Sequence, residues 1–446
     1  MTTELKRTLT ARDVAVIAGG TVIGSGIFLT PGLVLRSSGS VGVAMLVWLG
    51  GGILTLLGAL TYAELGCSRP AAGGLYAYIR DAFGKGAAFT FGWTLFVVIA
   101  SGSVATLAVA AGDNIAAVVP LGEVGKKLVA VGIIAGLAFI NVRGTRQSTN
   151  ALGIATLLKV GTLTLLIVAL PIMGTGWSGV TTVWPEEVNG PMFSGALIAT
   201  VSVLWAYEGW QYATFVGGEV INPQRNFPLG LIIGTVSLLL IYVLVNVGYL
   251  AALGPAGVAA STAVASESVG AVLGPTAARL VAIPVLISII SAAQGITLTA
   301  SRVFHTMAAD RTFFAKLGEV HPRFGTPATS IIALSAWSAV LAVSGTFNTL
   351  LTYVIFVAWI FYGLGGVCLF VFRVREPELA RPMRVPLYPF TPIVFVLSAV
   401  VIVGNTMIDN PVRAVIGLAA TLSAVPIYLV WGRANSRSAR SASSGP

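Results

Sequence analysis

Three ionisable side chains, Glu64, Lys159 and Glu208, fall inside long apolar stretches of this 446-residue chain. A bare charge in hydrocarbon costs several kcal/mol, so each needs a partner or a water-lined cavity, and each is a candidate for function. Glu64 stands near the end of its stretch, where capping and snorkelling account for it. Lys159 is nine residues into a stretch that begins at Asn150, about 14 Å deep at the helical rise, with no opposite charge one turn away. Three readings are open for it. Its ammonium can stand where a free coupling cation would otherwise bridge helices, with Ser288 and Ser291 on another helix supplying oxygens. It can carry a proton, a role that buried lysines take up, or it can simply lock helix packing. Glu208 can bind an amine, carry a proton, or brace the backbone by accepting from exposed N–H groups; a direct pair with Lys159 also stays open.

The stretches that carry these residues contain breaks. VAVIAGGTVIGSGIFLTPG places Gly19, Gly20, Gly24, Ser25 and Gly26 in what should be continuous helix, and each central glycine weakens a helix by about 1 kcal/mol relative to alanine. Close packing by small residues is the alternative for a chain with 52 glycines. A second interruption, Tyr207, Glu208, Gly209, Trp210 and Gln211, lies at comparable depth five spans later. Paired interruptions of this kind point to an inverted repeat with a site at the midplane. The outer half of the first helix would present amide N–H groups, from about Ser25 to Phe28, and these suit a carboxylate. Carbonyls around Val22, Ile23, Trp205 and Ala206 suit an ammonium. An anion site beside a cation site describes a zwitterionic α-amino acid. Trp205, Tyr207 and Trp210 are candidates for gating or for the pocket wall, with core packing as the alternative.

The rest of the chain must position these groups in a membrane. It is 56% hydrophobic and 9% charged, against about 25% charge in soluble domains. Apolar runs of spanning length fall at about 13–35, 41–65, 87–118, 126–142, 150–173, 193–218, 228–253, 276–303, 327–344, 348–372, 388–407 and 412–431. With the N-terminus inside, 20 of the 26 Lys and Arg lie on the cytoplasmic side, Arg302 among them at the head of the polar segment 302–323. Five lie outside, Arg36, Lys126, Lys127, Arg279 and Arg413, and that bias sets the orientation. The net charge of +10 is therefore a topology signal that suits anionic lipid, and no nucleic-acid partner is expected. The expected organisation is a cytoplasmic N-terminus (1–12), a first repeat of five spans (13–173), a second (193–372), two further spans (388–431) and a disordered cytoplasmic tail (432–446).

Other chemistries lack residues. Cys67 and Cys368 give no disulfide framework. His305 and His321 stand apart from carboxylate clusters, so no metal is expected. The GSG of the first span lacks the Lys-Ser/Thr of a phosphate-binding loop. No cofactor and no enzymatic activity are expected, and the first apolar run continues as a full span rather than a cleaved leader.

TVIGSGIF, YAELGCSRPAAGGLYAYIRDAFG and FVGGEVINPQRNFP resemble the amino acid, polyamine and organocation superfamily of secondary transporters. GSGIF, WAYEGW and the lysine that follows Asn150 and Gly153 are most similar to its L-type amino acid transporter family and prokaryotic relatives. The resemblance runs over about residues 10–431. It implies an all-α integral membrane protein of about twelve helices, with a LeuT-type fold, a five plus five inverted repeat, and helices 1 and 6 broken. It implies sodium-independent transport, commonly exchange, of neutral L-amino acids by alternating access. The carboxylate would meet Gly24, Ser25 and Gly26, and the amine the carbonyls of Val22, Ile23 and Trp205, while Lys159 would take the place of sodium. With Ile27, Ala206, Tyr207, Glu208 and Gly209 these residues make up the candidate substrate site.

Two departures from the family pattern stand out. Animal members join a heavy subunit through a cysteine between spans three and four, and residues 119–126 hold none, so no disulfide-linked partner is expected. Glu208 stands where many animal members have glycine. That keeps a second reading open, proton-coupled symport of cationic amino acids or polyamines. A sensor that binds an amino acid without moving it is a third. The expected location is a prokaryotic inner membrane with both termini cytoplasmic.

Overall fold

The computed structural model describes residues 7–116, 119–185 and 190–430. The expected disordered tail (432–446) lies outside the described residues. Among the described residues the extended pairing is a single bridge between Leu9 and Val220; the rest is helix and connection.

The first span is α1 (Ala11–Val22), α2 (Gly26–Leu29) and α3 (Pro31–Ser38) in succession, and α4 (Val41–Ser68) follows. Next come α5 (Leu75–Phe83), α6 (Lys85–Thr94) and α7 (Ala100–Ala116), the last two joined by a π-helical stretch at Leu95–Ile99. Then come α8 (Glu123–Val142) and α9 (Thr145–Met173). The sixth expected span is α10 (Gly190–Ala206) continued by a 3-10 helix at Trp210–Glu219. The chain closes with α11 (Pro223–Ala260), α12 (Val264–Leu273), α13 (Pro275–Ala309), α14 (Ala328–Ser344), α15 (Phe347–Arg375), α16 (Phe390–Asp409) and α17 (Pro411–Leu422).

Among the described residues, ten helices are long and apolar enough to cross a membrane. The expected spans at 126–142 and 327–344 coincide with α8 and α14, which stand outside that ten.

Local chemistry sets the ends. Thr10 and Asp13 form a reciprocal capping box at the start of α1, with Thr10 N–H donating to Asp13 Oδ2 at 2.8 Å. Gly39, at φ 71°, turns the chain out of α3. The core lies between α1, α4, α7, α11 and α13, whose buried faces carry Ile17, Trp48, Val104, Tyr242 and Ile296.

Two charged residues lie elsewhere than their sequence positions suggest. Glu64 does not snorkel: it is fully buried. It accepts from Arg373 at 2.9 and 2.7 Å and from the Val385 N–H at 2.6 Å, with Arg381 at 3.5 Å. Arg302 is not in a polar loop, because α13 runs on to Ala309. Its guanidinium is fully buried and meets Glu219 at 3.1 Å, Thr145 Oγ1 at 2.7 Å and the Leu298 carbonyl at 2.5 Å. A buried charge requires such compensation, and these two clusters tie α4 to α15 and the 3-10 helix to α13 and α9.

Candidate site at the two helix breaks

The first helix stops at Val22 and resumes at Gly26, so the break is Ile23, Gly24 and Ser25. Gly19 and Gly20 stay helical, outside the break. Gly20 serves packing instead, since a Cβ there would stand 2.5 Å from Thr156 Oγ1. Past the break, Phe28 N–H and Leu29 N–H both donate to the Ser25 carbonyl, at 3.2 and 3.0 Å. The N–H groups of Gly24, Ser25, Gly26 and Ile27 meet no backbone acceptor among the described residues. Four amide donors left without a backbone partner at a helix start are chemically suited to an anion.

The carbonyl side is more occupied than free helix ends imply. Lys159 Nζ donates to the carbonyls of Gly20 at 2.6 Å and Ile23 at 2.8 Å. Ser288 Oγ donates to the same Ile23 carbonyl at 2.9 Å, so α9, α13 and the broken helix meet at one oxygen. Ser291, by contrast, donates within its own helix to the Ser288 carbonyl, at 3.1 Å. The Val22 carbonyl accepts from Tyr242 OH at 3.3 Å, and that of Trp205 from the Glu208 N–H at 3.1 Å. The Ala206 carbonyl accepts no backbone N–H among the described residues.

Lys159 points inward because of its place on α9. Leu152, Ala155, Lys159, Leu163, Leu166 and Leu170 form the buried stripe, at the three- and four-residue spacing of one helix face. Leu157 on the opposite face is 73% exposed.

The sixth helix breaks at 207–209, where Gly209 has φ 128°. A side chain there is strained by conformation, and a Cβ would also come within 2.9 Å of the Thr21 backbone. Gly26 faces Ala206 more closely still, because a Cβ on Gly26 would overlap the Ala206 backbone. The two breaks are therefore in contact, and Trp205 Nε1 donates across them to Ser25 Oγ at 3.3 Å.

Glu208 makes no ion pair with Lys159 among the described residues. Its Oε1 accepts from Gln211 Nε2 at 2.6 Å and Tyr362 OH at 2.5 Å. Its partners are thus side chains, not the half-helix N–H groups of the bracing alternative. Tyr207 OH donates to the Trp48 carbonyl at 3.3 Å and packs against Tyr242, with centroids 4.9 Å apart. Trp210 is buried against Tyr62 and Phe395, and Ile27 is buried beside the amides.

Tyr242 and Tyr362 were not legible as site residues, for each lies far along the chain in a run of ordinary membrane-helix composition. Among the described residues no group of three or more His, Cys, Asp or Glu could hold a metal ion.

The arrangement can hold a carboxylate on the unpartnered amides where the first helix breaks. The family model described as amino acid permease matches residues 9–430. The mouse b(0,+)-type amino acid transporter 1 is 31% identical, over 92% of this chain and 85% of its own. The serine/threonine exchanger SteT of Bacillus subtilis (strain 168) is 30% identical, over 92% of this chain and 93% of its own. The human large neutral amino acids transporter small subunit 2 is 30% identical, over 92% and 78%. These relatives are transporters and not enzymes. The chain belongs to the amino acid permease family, within the amino acid, polyamine and organocation superfamily of secondary transporters.

Proposed function

We propose that this chain is a sodium-independent exchanger of neutral L-amino acids that works by alternating access. The observation that carries the reading is the Lys159 ammonium on the carbonyls of Gly20 and Ile23, with Ser288 on the second of them. A fixed cation at a helix C-terminal end satisfies carbonyls that a free cation would otherwise hold. The free amides from Gly24 to Ile27 take the substrate carboxylate, and the Ala206 carbonyl is the acceptor left for its amine. Serine/threonine exchange by the Bacillus subtilis relative supports exchange of small neutral substrates.

The same reading has twelve spans in a five plus five inverted repeat at 13–173 and 193–372, with both termini cytoplasmic in a cell (inner) membrane. The chain works without a disulfide-linked heavy subunit, and its two cysteines, Cys67 and Cys368, are both buried.

The deciding experiment is uptake of labelled L-threonine and L-leucine into proteoliposomes in sodium-free buffer, with and without unlabelled amino acid inside. Exchange requires uptake that depends on internal substrate. The buried cluster of Glu208, Gln211 and Tyr362 favours a second reading, proton-coupled symport of a cationic amino acid or polyamine. That reading requires uptake that follows an imposed pH gradient and ignores the lumen.

A further inference from the structure

A cavity of about 250 Å³ is lined by the first helix past its break and by α10, α15, α16 and α17. It adjoins the breaks. Thr30, on its wall, donates its hydroxyl to the carbonyl of Gly26, the first residue of α2, at 2.8 Å. Ser202, also on the wall and buried, stands one turn before Ala206 on α10.

The lining also carries two charges, Asp409 and Arg413. They are four residues apart, a spacing that pairs opposite charges on one helix, but Asn410, at φ −135° and ψ 61°, interrupts the helix between them. No ion pair joins them among the described residues. Arg413 Nη1 instead donates to Thr352 Oγ1 at 3.2 Å, and Asp409 Oδ2 accepts from Asn405 at 3.5 Å. Leu33, Ile198 and Leu351 supply apolar lining. The volume is just below the roughly 300–1,000 Å³ of drug-sized sites, a scale suited to one small molecule bearing both charges.

We propose that this cavity is a second, outer binding site for a free zwitterionic amino acid, with its carboxylate on Arg413 and its ammonium on Asp409, occupied on the way to the breaks. The proposal rests on the reading of the breaks as a transport site for amino acids. A zwitterionic lipid headgroup offers the same pair of charges. Thr30 and Ser202 on the cavity wall, the one bonded to Gly26 and the other one turn before Ala206, favour the free amino acid.

The test is equilibrium binding of labelled L-threonine and L-leucine to the purified full chain in phosphatidylcholine nanodiscs. Two molecules per chain are expected at saturation for one of these probes, falling to one in Arg413→Gln and in Asp409→Asn. The remaining site shows that the variants are folded. Arg413→Lys should restore two, and Lys127→Gln, which removes an outer charge away from the cavity, should keep two. One molecule in the wild type, unaltered by Arg413→Gln, overturns the outer site and leaves the transport reading standing. No binding of either probe sinks both. Loss of the second molecule when the nanodiscs contain phosphatidylethanolamine, with lipid retention that depends on Arg413, assigns the cavity to a headgroup and overturns the proposal.

Discussion

Lys159 Nζ lies 2.8 Å from the carbonyl oxygen of Ile23, the first residue of the break that follows α1. The two are 136 residues apart in the chain, and their contact fastens the break to α9. The C-terminal end of α1 carries partial negative charge on unpaired carbonyls, and an ammonium there satisfies it. Any movement of α1 away from α9 must break two charge-assisted bonds, to Gly20 and to Ile23.

Ser288 is the auxiliary donor to the same carbonyl. Ser288→Ala leaves Lys159 in place and removes one neutral hydrogen bond, a loss of about 1 kcal/mol. Exchange in proteoliposomes should slow by roughly fivefold, since 1.4 kcal/mol is about tenfold. Ser291→Ala, which removes a bond within α13, should have a smaller effect; equal effects from the two would separate Ser288 from the break.

Gly26→Ala tests the contact of the two breaks. A methyl group at Gly26 would overlap the Ala206 backbone, whereas Gly19 has nothing within 4 Å of an added Cβ. Overpacking against backbone typically costs about 1–3 kcal/mol or more. The expected result is loss of exchange in Gly26→Ala and retention in Gly19→Ala, both read at equal protein in the vesicles.

Tyr362→Phe removes a donor to Glu208 and leaves a buried carboxylate with Gln211 alone. An acceptor stripped of a partner in a buried site loses about 1–3 kcal/mol. A lower midpoint of thermal inactivation in detergent is expected. In Glu208→Gln/Tyr362→Phe, where no carboxylate remains to be satisfied, the loss should be smaller. A midpoint unchanged by Tyr362→Phe would remove Glu208 from the bracing role.

Glu64→Gln tests the buried charge hub near the end of α4. The change leaves Arg373 facing a neutral amide inside the protein, and breaking one partner of a buried pair typically costs about 3–5 kcal/mol. Folded yield, measured as the monodisperse fraction after extraction, should fall sharply. Neutralising the exposed Lys127 should leave it as it was.

The two breaks were legible because glycines and polar aromatics are costly inside an apolar helix, so clusters of them stand out at Gly24–Gly26 and Tyr207–Gln211. Their limits were not. Gly19 and Gly20 look the same in sequence as Gly24, yet they remain helical, and Gly20 packs on Thr156.

Which way Lys159 points was hidden for a different reason. Lipid and protein core both select apolar residues, so the exposed Leu157 and the buried Leu163 give no amphipathic signal. The partners of Glu64 and Arg302 were hidden as well, being 309 and 83 residues away. Charges near span ends read as orientation signals until the bundle brings them together.

The most direct measurement is sodium-free exchange of labelled L-threonine and L-leucine in proteoliposomes, comparing wild type with Lys159→Ala at equal reconstituted protein. A tethered cation at the Gly20 and Ile23 carbonyls predicts robust exchange in the wild type that depends on internal amino acid, and its loss in the variant. Wild-type uptake that requires added sodium, or exchange that survives in Lys159→Ala, would contradict it.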